Sequence, residues 1–279
     1  MLPSFKGARV LIFESRRARE MASIVTSYTG VPISAPSMRE VPLESNTEAA
    51  AAARALIDGG FDFVVLLTGV GTRAWLDVAD QVCGARDPFV EALRRVRVAV
   101  RGPKPLAVLR ELQVTAWLTA PEPNTWRDLL TAIDAADPDA MRNARVAVQE
   151  YGMSNAELLA GLEQRGARVT RVPVYQWTLP EDLEPLRAGI RSLSEGAIDV
   201  ALFTTGTQVV HLMQVAASMG MAHAARSALS RVTVASIGPT TTEELQRHGI
   251  EPQLEASHPK MGFLVREAAE RVSGLDDRS

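Results

Sequence analysis

Hydroxyl, glycine and cationic residues follow the apolar runs of this sequence, where a chain of alternating strands and helices places its turns. In the first half, after the runs VLIF, FVVLL and VRVAV, these residues are Arg16 and Arg17, then Thr68, Gly69 and Gly71, then Arg101 and Lys104. In the second half, after VAV, VALF and VTVAS, they are Tyr151 and Gly152, then Thr205 and Gly206, then Gly238, Thr240 and Thr241. Hydroxyls, backbone amides and cationic side chains together suit a ligand that carries several carboxylates or phosphates. The ordinary alternative is that Gly, Ser and Thr only form the turns and that the arginines are solvated.

The cationic residues are the most informative members of this set. Arg16, Arg17, Arg101 and Lys104 stand where helices should begin, and a positive charge there opposes the helix dipole. We therefore expect an anionic group to compensate them. Glu14 and Glu150 occupy equivalent strand ends, where they could act as acid or base or could cap a neighbouring helix.

Several other kinds of chemistry have little support. The four histidines, His211, His223, His248 and His258, have no partner at catalytic spacing and are predicted to be solvated. With the lone Cys83 they form no cluster with metal-ligand spacing, so no metal site is expected. The triplet Gly69, Gly71 and Ala74 fits the dinucleotide pattern G-x-G-x-x-A, but no Asp or Glu ends a strand about 20 residues later, where one would hold a ribose.

Composition limits the partners. The 279 residues include 30 basic and 33 acidic side chains, a net charge of −3 that gives no general attraction to nucleic acid or to an anionic membrane. No apolar run approaches the roughly 20 residues that span a bilayer, and the first residues lack the apolar region of a signal peptide. A cytoplasmic protein is expected.

The sequence repeats itself. The segment that begins at Arg9 resembles the one that begins at Arg145, and FDFVVLLTGVGTRAWL resembles IDVALFTTGTQVVHLM, with Gly69 matching Gly206. A third match aligns Gly102 with Gly238. Short, continuously apolar strands alternate with helical stretches in each half, a pattern typical of parallel sheets covered by helices on both faces. Two small α/β domains are predicted, with ligands bound beyond the carboxyl ends of the strands.

In their order and spacing, these loops resemble those of the uroporphyrinogen-III synthase family over nearly the whole chain. The resemblance rests on six segments: SRR at 15–17, LTGVGTR at 67–73, RGPK at 101–104, EYG at 150–152, VPVYQW at 172–177 and SIGPTTTEEL at 236–245. The chain departs from the family at Pro103 and Lys104, where many members have Ser or Thr. It also departs at 14–17, where many members have Thr-Arg-Pro.

The resemblance implies an α/β fold of two flavodoxin-like parallel-sheet domains, which are joined by a two-strand linker and hold the substrate in a cleft between them. In that family the first βα unit of each half joins the later units of the other. This places one domain at residues 1–37 and 177–279 and the other at 38–176, although contiguous halves remain possible on sequence alone.

The resemblance also implies an activity. The family closes a linear tetrapyrrole, hydroxymethylbilane, with loss of water and inversion of the last ring through a spiro intermediate, and it uses no cofactor. Tyr175 resembles the family's cleft tyrosine and is the candidate catalytic proton donor, while the loop residues named above are the candidate substrate-binding set. A monomer is expected. The competing hypothesis is a noncatalytic bilobed protein that binds a tetrapyrrole or another anion.

Overall fold

A computed structural model describes residues 2–42, 46–81, 84–150, 152 and 154–275. The chain contains twelve strands and twelve helices over these residues. The first part comprises β1 (Arg9–Ile12), α1 (Ala18–Ser27), β2 (Val31–Ser34), β3 (Arg39–Pro42), α2 (Thr47–Ile57), β4 (Phe63–Leu66), α3 (Gly69–Gln81), α4 (Arg86–Arg95), β5 (Arg97–Val100), α5 (Pro103–Glu111), β6 (Leu118–Thr119) and α6 (Trp126–Ala136). The second comprises β7 (Arg145–Glu150), α7 (Ala156–Gln164), β8 (Arg168–Pro173), β9 (Tyr175–Thr178), α8 (Glu184–Ser194), β10 (Val200–Phe203), α9 (Gly206–Ser218), α10 (Ala222–Leu229), β11 (Thr233–Ser236), α11 (Pro239–Arg247), β12 (Leu254–Glu255) and α12 (Met261–Leu275).

These elements divide into two compact units, residues 1–39 with 178–279 (unit 1) and residues 40–177 (unit 2). Unit 1 contains a five-stranded sheet in the order β12-β11-β10-β1-β2, and unit 2 contains one in the order β6-β5-β4-β7-β8. All the strand pairs in both sheets are parallel. The strands β3 and β9 form a separate two-stranded sheet where the chain passes from one unit to the other. The predicted fold class is confirmed.

The two sheets have the same topology because the halves of the sequence exchange their first βα unit. Strands β1 and β2 occupy in unit 1 the places that β7 and β8 occupy in unit 2. The register agrees, since Val10 lies opposite Val200 and the equivalent Val146 lies opposite Phe63. In unit 1, β10, β11 and β12 come from the second half of the sequence, and β1 and β2 come from the first. In unit 2, β4, β5 and β6 come from the first half, and β7 and β8 come from the second.

In unit 2 the strands are apolar at successive positions because helices cover both faces of the sheet. Val64 and Val98 pack with α2, α3 and α4 on one face. Val65 and Ala99 pack with α6 and α7 on the other. Successive strand residues point to opposite faces, so a sheet buried on both sides needs a continuous apolar run.

Unit 1 is built in the same way. Leu11 and Ala201 pack with α8, α9 and α10 on one face, and Val10 and Leu202 pack with α1 and α12 on the other. Phe13, just beyond β1, stacks on Phe203 at the end of β10 with ring centroids 4.7 Å apart. The core of unit 1 therefore extends to the carboxyl ends of its central strands, where the loops begin.

An ion pair is repeated at the opposite end of each sheet. In unit 2, Arg145 donates from Nη2 to Asp62 at 2.8 Å, and its backbone N–H donates to the same carboxylate at 2.8 Å. In unit 1, Arg9 and Asp199 make the equivalent backbone contact at 2.8 Å and an Nε contact at 3.2 Å. Hydrogen bonding from Arg145 holds the pKa of Asp62 below its usual value. Each pair joins the two halves of the sequence at the start of neighbouring strands.

Candidate functional site

The described candidates, apart from Tyr175, lie in loops or first helical turns at the carboxyl ends of the parallel strands. Unit 1 holds Arg16, Arg17, Thr205, Gly206, Gly238, Thr240 and Thr241. Unit 2 holds Thr68, Gly69, Gly71, Arg101, Lys104 and Gly152. Tyr151 lies outside the described residues, and so does Cys83. Tyr175 is the first residue of β9, and only its backbone is described.

The loop after β10 presents unused donors at the start of α9. Thr205 is the N-cap residue, but its hydroxyl caps no amide. Among the described residues, the backbone N–H groups of Gly206 and Thr207 have no acceptor. Free amides at a helix N-terminus bind anions because the amides and the helix dipole both favour negative charge. This loop can therefore bind a carboxylate.

In the loop after β11, hydrogen bonds within the unit hold two hydroxyls, and a third hydroxyl is exposed. Ser236 and Thr242 hydroxyls hydrogen-bond each other at 2.5 Å, and Thr242 donates to Glu255 at 2.5 Å. Thr240 is exposed, and its hydroxyl has no hydrogen-bond partner in the described part of the chain. Thr241 is 3% exposed and buries its side chain against the unit. Thr240 is thus the better placed of the two predicted threonines to meet a ligand.

The loop after β1 holds Arg17, one of its two arginines, in an ion pair of its own. Glu14 accepts the backbone N–H of Arg17 at 3.2 Å and the Thr204 hydroxyl at 2.8 Å. Arg17 forms an ion pair with Glu20 one turn further along α1, with Nε at 2.7 Å from the carboxylate. That pairing raises the pKa of Arg17 and lowers the pKa of Glu20. Binding of substrate by Arg16 and Arg17 remains a prediction, and Arg17 would have to leave Glu20 to make it.

In the loop after β4 the glycines are required by packing. A Cβ on Gly69 would lie 2.8 Å from the carbonyl oxygen of Lys104, and a Cβ on Gly71 would overlap the side-chain amide of Gln149. The hydroxyl of Thr68 accepts the Gly71 N–H at 3.0 Å. The N–H groups of Gly69 and Val70 have no acceptor among the described residues. The glycine pattern thus has a cause within the fold, and the loop still offers two amides.

The loop after β5 carries positive charge that no acidic side chain among the described residues compensates. Arg101 is half-buried directly after β5, and its guanidinium contacts no acidic side chain in the described part of the chain. Burial lowers the pKa of Arg101. Lys104 is exposed in the first turn of α5 and has no ion-pair partner among the described residues. Because Pro103 and Pro105 lack N–H groups, side-chain cations supply most of the anion affinity that this helix start can have.

The loop after β7 contains a buried carboxylate with local partners. Glu150 is 3% exposed and accepts from Arg171 Nε at 2.9 Å and from the Ser154 hydroxyl at 2.6 Å. Gly152 has a φ of +85°, and a Cβ there would overlap the ring of Trp177. Glu14 and Glu150 both hold neighbouring loops together, which fits a structural role better than acid or base chemistry.

The prediction for His211 was wrong. The residue lies on α9 and is 7% exposed, and its Nδ1 is 2.7 Å from the carbonyl oxygen of Ser37. A carbonyl only accepts, so the neutral ring donates its Nδ1 proton. Burial lowers the pKa of His211, opposed by the hydrogen bond to Ser37. The helix is buried on most of its circumference, so its hydrophobic period does not separate polar positions from core positions.

Two buried glutamines were missed as supports of these loops. Gln149 accepts from the backbone of Leu67 at 3.3 Å, and Gln208 accepts from the backbone of Thr204 at 2.7 Å. Both side chains are fully buried. The internal repeat could have indicated these glutamines, because Gly71 aligns with Gln208. A glycine aligned with a glutamine indicates that a different side chain fills the space that the glutamine fills in the other unit.

Two other kinds of site find no support in the part of the chain that the structure describes. No group of three His, Cys, Asp or Glu side chains there could hold a metal ion. None of the described helices is long and apolar enough to cross a membrane. Within the described residues, the unpaired amides, hydroxyls and cations at the carboxyl edges match an anionic ligand.

Comparison with known proteins finds one matching family model and two similar sequences. The family model of uroporphyrinogen-III synthase HemD matches residues 19–266. An uncharacterized protein, YjjA, of Bacillus subtilis is 30% identical over 94% of this chain and 95% of its own length. A putative uroporphyrinogen-III synthase of Methanothermobacter thermautotrophicus is 33% identical over 55% of this chain and 58% of its own length.

Solved structures agree on the fold. A mutant of uroporphyrinogen III synthase from Thermus thermophilus superposes with a TM-score of 0.75, at 22% identity, over 96% of this chain and 100% of that one. The wild-type enzyme from the same bacterium in another crystal form has a TM-score of 0.60 at 24% identity, over 97% of this chain and 100% of that one.

Proposed function

We propose that this chain, which belongs to the uroporphyrinogen-III synthase family, catalyses the cyclisation of hydroxymethylbilane to uroporphyrinogen III. The observation that carries the proposal is the family match along residues 19–266. The free donors at the carboxyl edges of the sheets support it, because the substrate carries many carboxylates.

The proposed reaction has no net redox change. The bond between the terminal hydroxymethyl carbon and its oxygen breaks, and the hydroxyl leaves as water after taking up a proton. Electrons from the pyrrole nitrogen drive this loss. The methylene carbon left behind bonds to the α carbon of the last ring that already carries the neighbouring methylene bridge, which gives a spiro intermediate. The bond from that ring carbon to the bridge then breaks, the bridge carbon bonds to the unsubstituted α carbon of the same ring, and that α carbon loses its proton, so the ring is inverted. The protein's main task is to hold a flexible chain in the conformation from which inversion occurs.

Positioning is proposed to come from the anion-binding groups at the edges of both sheets. In unit 2, Arg101 and Lys104 supply positive charge that no described acidic side chain neutralises. In unit 1, the amides of Gly206 and Thr207 and the hydroxyls of Thr205 and Thr240 supply neutral donors. A half-buried cation with no partner is costly, and a bound carboxylate would offset that cost.

Tyr175 is the proposed proton donor to the leaving hydroxyl. A tyrosine phenol has an ordinary pKa of about 10, so such a group is protonated at neutral pH and can donate. The backbone places Tyr175 at the start of β9, shortly after β8, the strand that pairs with β7. The assignment rests on the resemblance of VPVYQW to the family pattern.

A rate measurement separates this enzyme from a noncatalytic tetrapyrrole-binding protein. Purified protein is mixed with hydroxymethylbilane in a buffer without added cofactor, and disappearance of the substrate is followed. We expect a rate that rises in proportion to protein concentration and saturates with substrate. Tight binding of the cyclic product with no acceleration would instead identify a binding protein.

A further inference from the structure

We infer that Gln149 and Gln208 are positioning residues, which hold the loops after β4 and β10 in the form whose free amides bind substrate carboxylates. This inference rests on the proposed function for its effect on turnover. Its structural part, that each glutamine fixes one loop, stands on the contacts alone.

Gln208 fixes the loop after β10 from within α9. Its Oε1 accepts the Thr204 N–H at 2.7 Å, and its Nε2 donates to the Thr204 hydroxyl at 2.8 Å. That hydroxyl in turn donates to Glu14 at 2.8 Å. The side chain is fully buried, so its two hydrogen bonds are shielded from water and hard to replace. Thr204 directly precedes Thr205 and Gly206, the residues that present free donors.

Gln149 fixes the loop after β4 from the neighbouring strand. Its Oε1 accepts the backbone N–H groups of Leu67 at 3.3 Å and Thr68 at 3.5 Å. Its Nε2 donates to the carbonyl oxygen of Glu150 at 2.8 Å. This side chain is also fully buried. The loop it fixes leads into the amides of Gly69 and Val70, which have no acceptor among the residues that the structure describes.

The two glutamines accept hydrogen bonds from equivalent loop amides, although their own positions are not equivalent in the repeat. Leu67 is equivalent to Thr204, so both side chains accept from the same amide of the loop. Gln149, however, is equivalent to Phe13, and Gln208 is equivalent to Gly71. In unit 2, the side-chain amide of Gln149 occupies the space that a Cβ on Gly71 would fill.

The carboxamide comes from a strand in one unit and from a helix in the other. This indicates that the loop amide needs a buried acceptor, whichever element provides it. In unit 1 an aromatic pair, Phe13 and Phe203, fills the strand end and the helix supplies the amide. In unit 2 the strand supplies the amide, and a glycine on the helix makes room for it. Each unit thus places one carboxamide beneath the same loop amide by a different route. A loop whose only role was to connect a strand to a helix would not need such a buried polar support.

The first experiment replaces each glutamine with methionine, which keeps the length of the side chain and removes its hydrogen bonds. For folded Gln149→Met and Gln208→Met proteins we expect KM for hydroxymethylbilane to rise about 10- to 100-fold, since small misplacements of a binding group have effects of this size. We also expect a larger fraction of the uninverted isomer. Gln164→Met is the matched control, because Gln164 is exposed at the end of α7, and it should match the wild type.

A loss of stability alone would not produce this result. Ile190→Val, which removes one methyl group from the buried side of α8, provides a variant destabilised away from both loops. Its KM and isomer fraction should stay at the wild-type values. Folded glutamine variants that keep the wild-type KM and isomer fraction would overturn the inference.

The second experiment tests the structural part without any assay of turnover. Amide hydrogen exchange is measured for Leu67 in Gln149→Met and for Thr204 in Gln208→Met. We expect loss of protection at these amides, and restored protection at residue 67 in the double variant Gly71→Gln/Gln149→Phe, which copies the arrangement of unit 1. Unchanged protection in the single variants would contradict the inference. If the wild type fails to form the inverted isomer, the proposed function falls, whereas this exchange result still decides the role of the glutamines in the loops.

Discussion

Arg101 is the residue whose environment argues most strongly for a ligand. It is half-buried, burial lowers its pKa, and no acidic side chain among the described residues contacts it. Arg17, by contrast, is paired with Glu20. The sequence predicted both as anion-binding cations, but it could not show which would find a partner inside its own helix.

Removing the charge of Arg101 should weaken substrate binding. A hydrogen bond to a charged group contributes about 1.5–3 kcal/mol, so Arg101→Met should raise KM about 10- to 100-fold and change kcat little. Arg110→Met is the control, because Arg110 is exposed in the last turn of α5, far along the helix from this loop. An Arg101→Met enzyme with the KM of the wild type would remove this residue from the binding set.

Tyr175→Phe tests the proposed role of this residue as proton donor. General acid catalysis contributes about 10²- to 10⁴-fold, so we expect kcat to fall by about 100-fold or more while KM stays near the wild-type value. Steady-state kinetics with hydroxymethylbilane measure both constants. A kcat equal to that of the wild type would exclude Tyr175 from the mechanism.

His211 on α9 should make the free energy of unfolding depend on pH. The folded protein lowers the pKa of His211 from its ordinary value of 6.5 because the ring is buried. The unfolded chain therefore binds more protons than the folded one below about pH 6.5, so the free energy of unfolding falls as pH drops from about 6.5 toward the folded pKa. Above about pH 6.5 this contribution is constant.

Urea unfolding at a series of pH values on both sides of the ordinary histidine pKa, about 5 to 8, checks this prediction. His211→Gln should reduce the decrease in the free energy of unfolding at acidic pH. His223→Gln, which alters an exposed histidine of α10, should leave that decrease unchanged. An identical pH profile for wild type and His211→Gln would show that another group causes the dependence.

The starts of α3 and α12 provide a matched test of helix packing. A Cβ on Gly69 would lie 2.8 Å from the backbone of Lys104, whereas nothing lies within 4 Å of a Cβ on Gly262. Gly69→Ala should destabilise the protein by about 1–3 kcal/mol through overpacking, and Gly262→Ala should stabilise it by about 0.5 kcal/mol. Thermal and urea unfolding measure both changes, and an undiminished stability of Gly69→Ala would contradict the packing described for α3 and α5.

At the scale of the whole molecule, the two units do not coincide with the two halves of the sequence. Unit 2 is continuous and contains all five strands of its sheet, including the central β4 and its neighbour β7. The first half of the sequence, up to α6, contains β4, β5 and β6 but lacks β7 and β8. A fragment of residues 38–179 should therefore fold cooperatively, whereas a fragment of residues 1–140 should not.

Circular dichroism and urea unfolding of the two fragments decide this point. In the fragment of residues 1–140, β4 would lack its neighbouring strand β7 and α6 would lack α7, so exposed apolar surface should make it aggregate or lack a cooperative transition. Cooperative folding of that fragment, with failure of residues 38–179, would mean that the halves are the folding units.

The parallel sheets were predictable from the sequence because continuous apolar strands and the internal repeat leave few other folds. The exchange of βα units between halves came only from the family resemblance, since nothing in the local pattern tells a strand which half provides its neighbour. The support by Gln149 and Gln208 and the burial of His211 depend on contacts between distant residues, so hydrophobic period and loop chemistry did not reveal them. The candidate loops were predictable because parallel strands place their carboxyl ends along one edge.

The most direct test of the proposed activity is the identity of the isomer that the protein forms. Hydroxymethylbilane is incubated with increasing amounts of purified protein and no added cofactor, and the products are oxidised to porphyrins and separated by chromatography. We predict that the type III isomer replaces type I as protein concentration rises. Type I alone, formed at the rate of the protein-free reaction, would contradict the proposed activity.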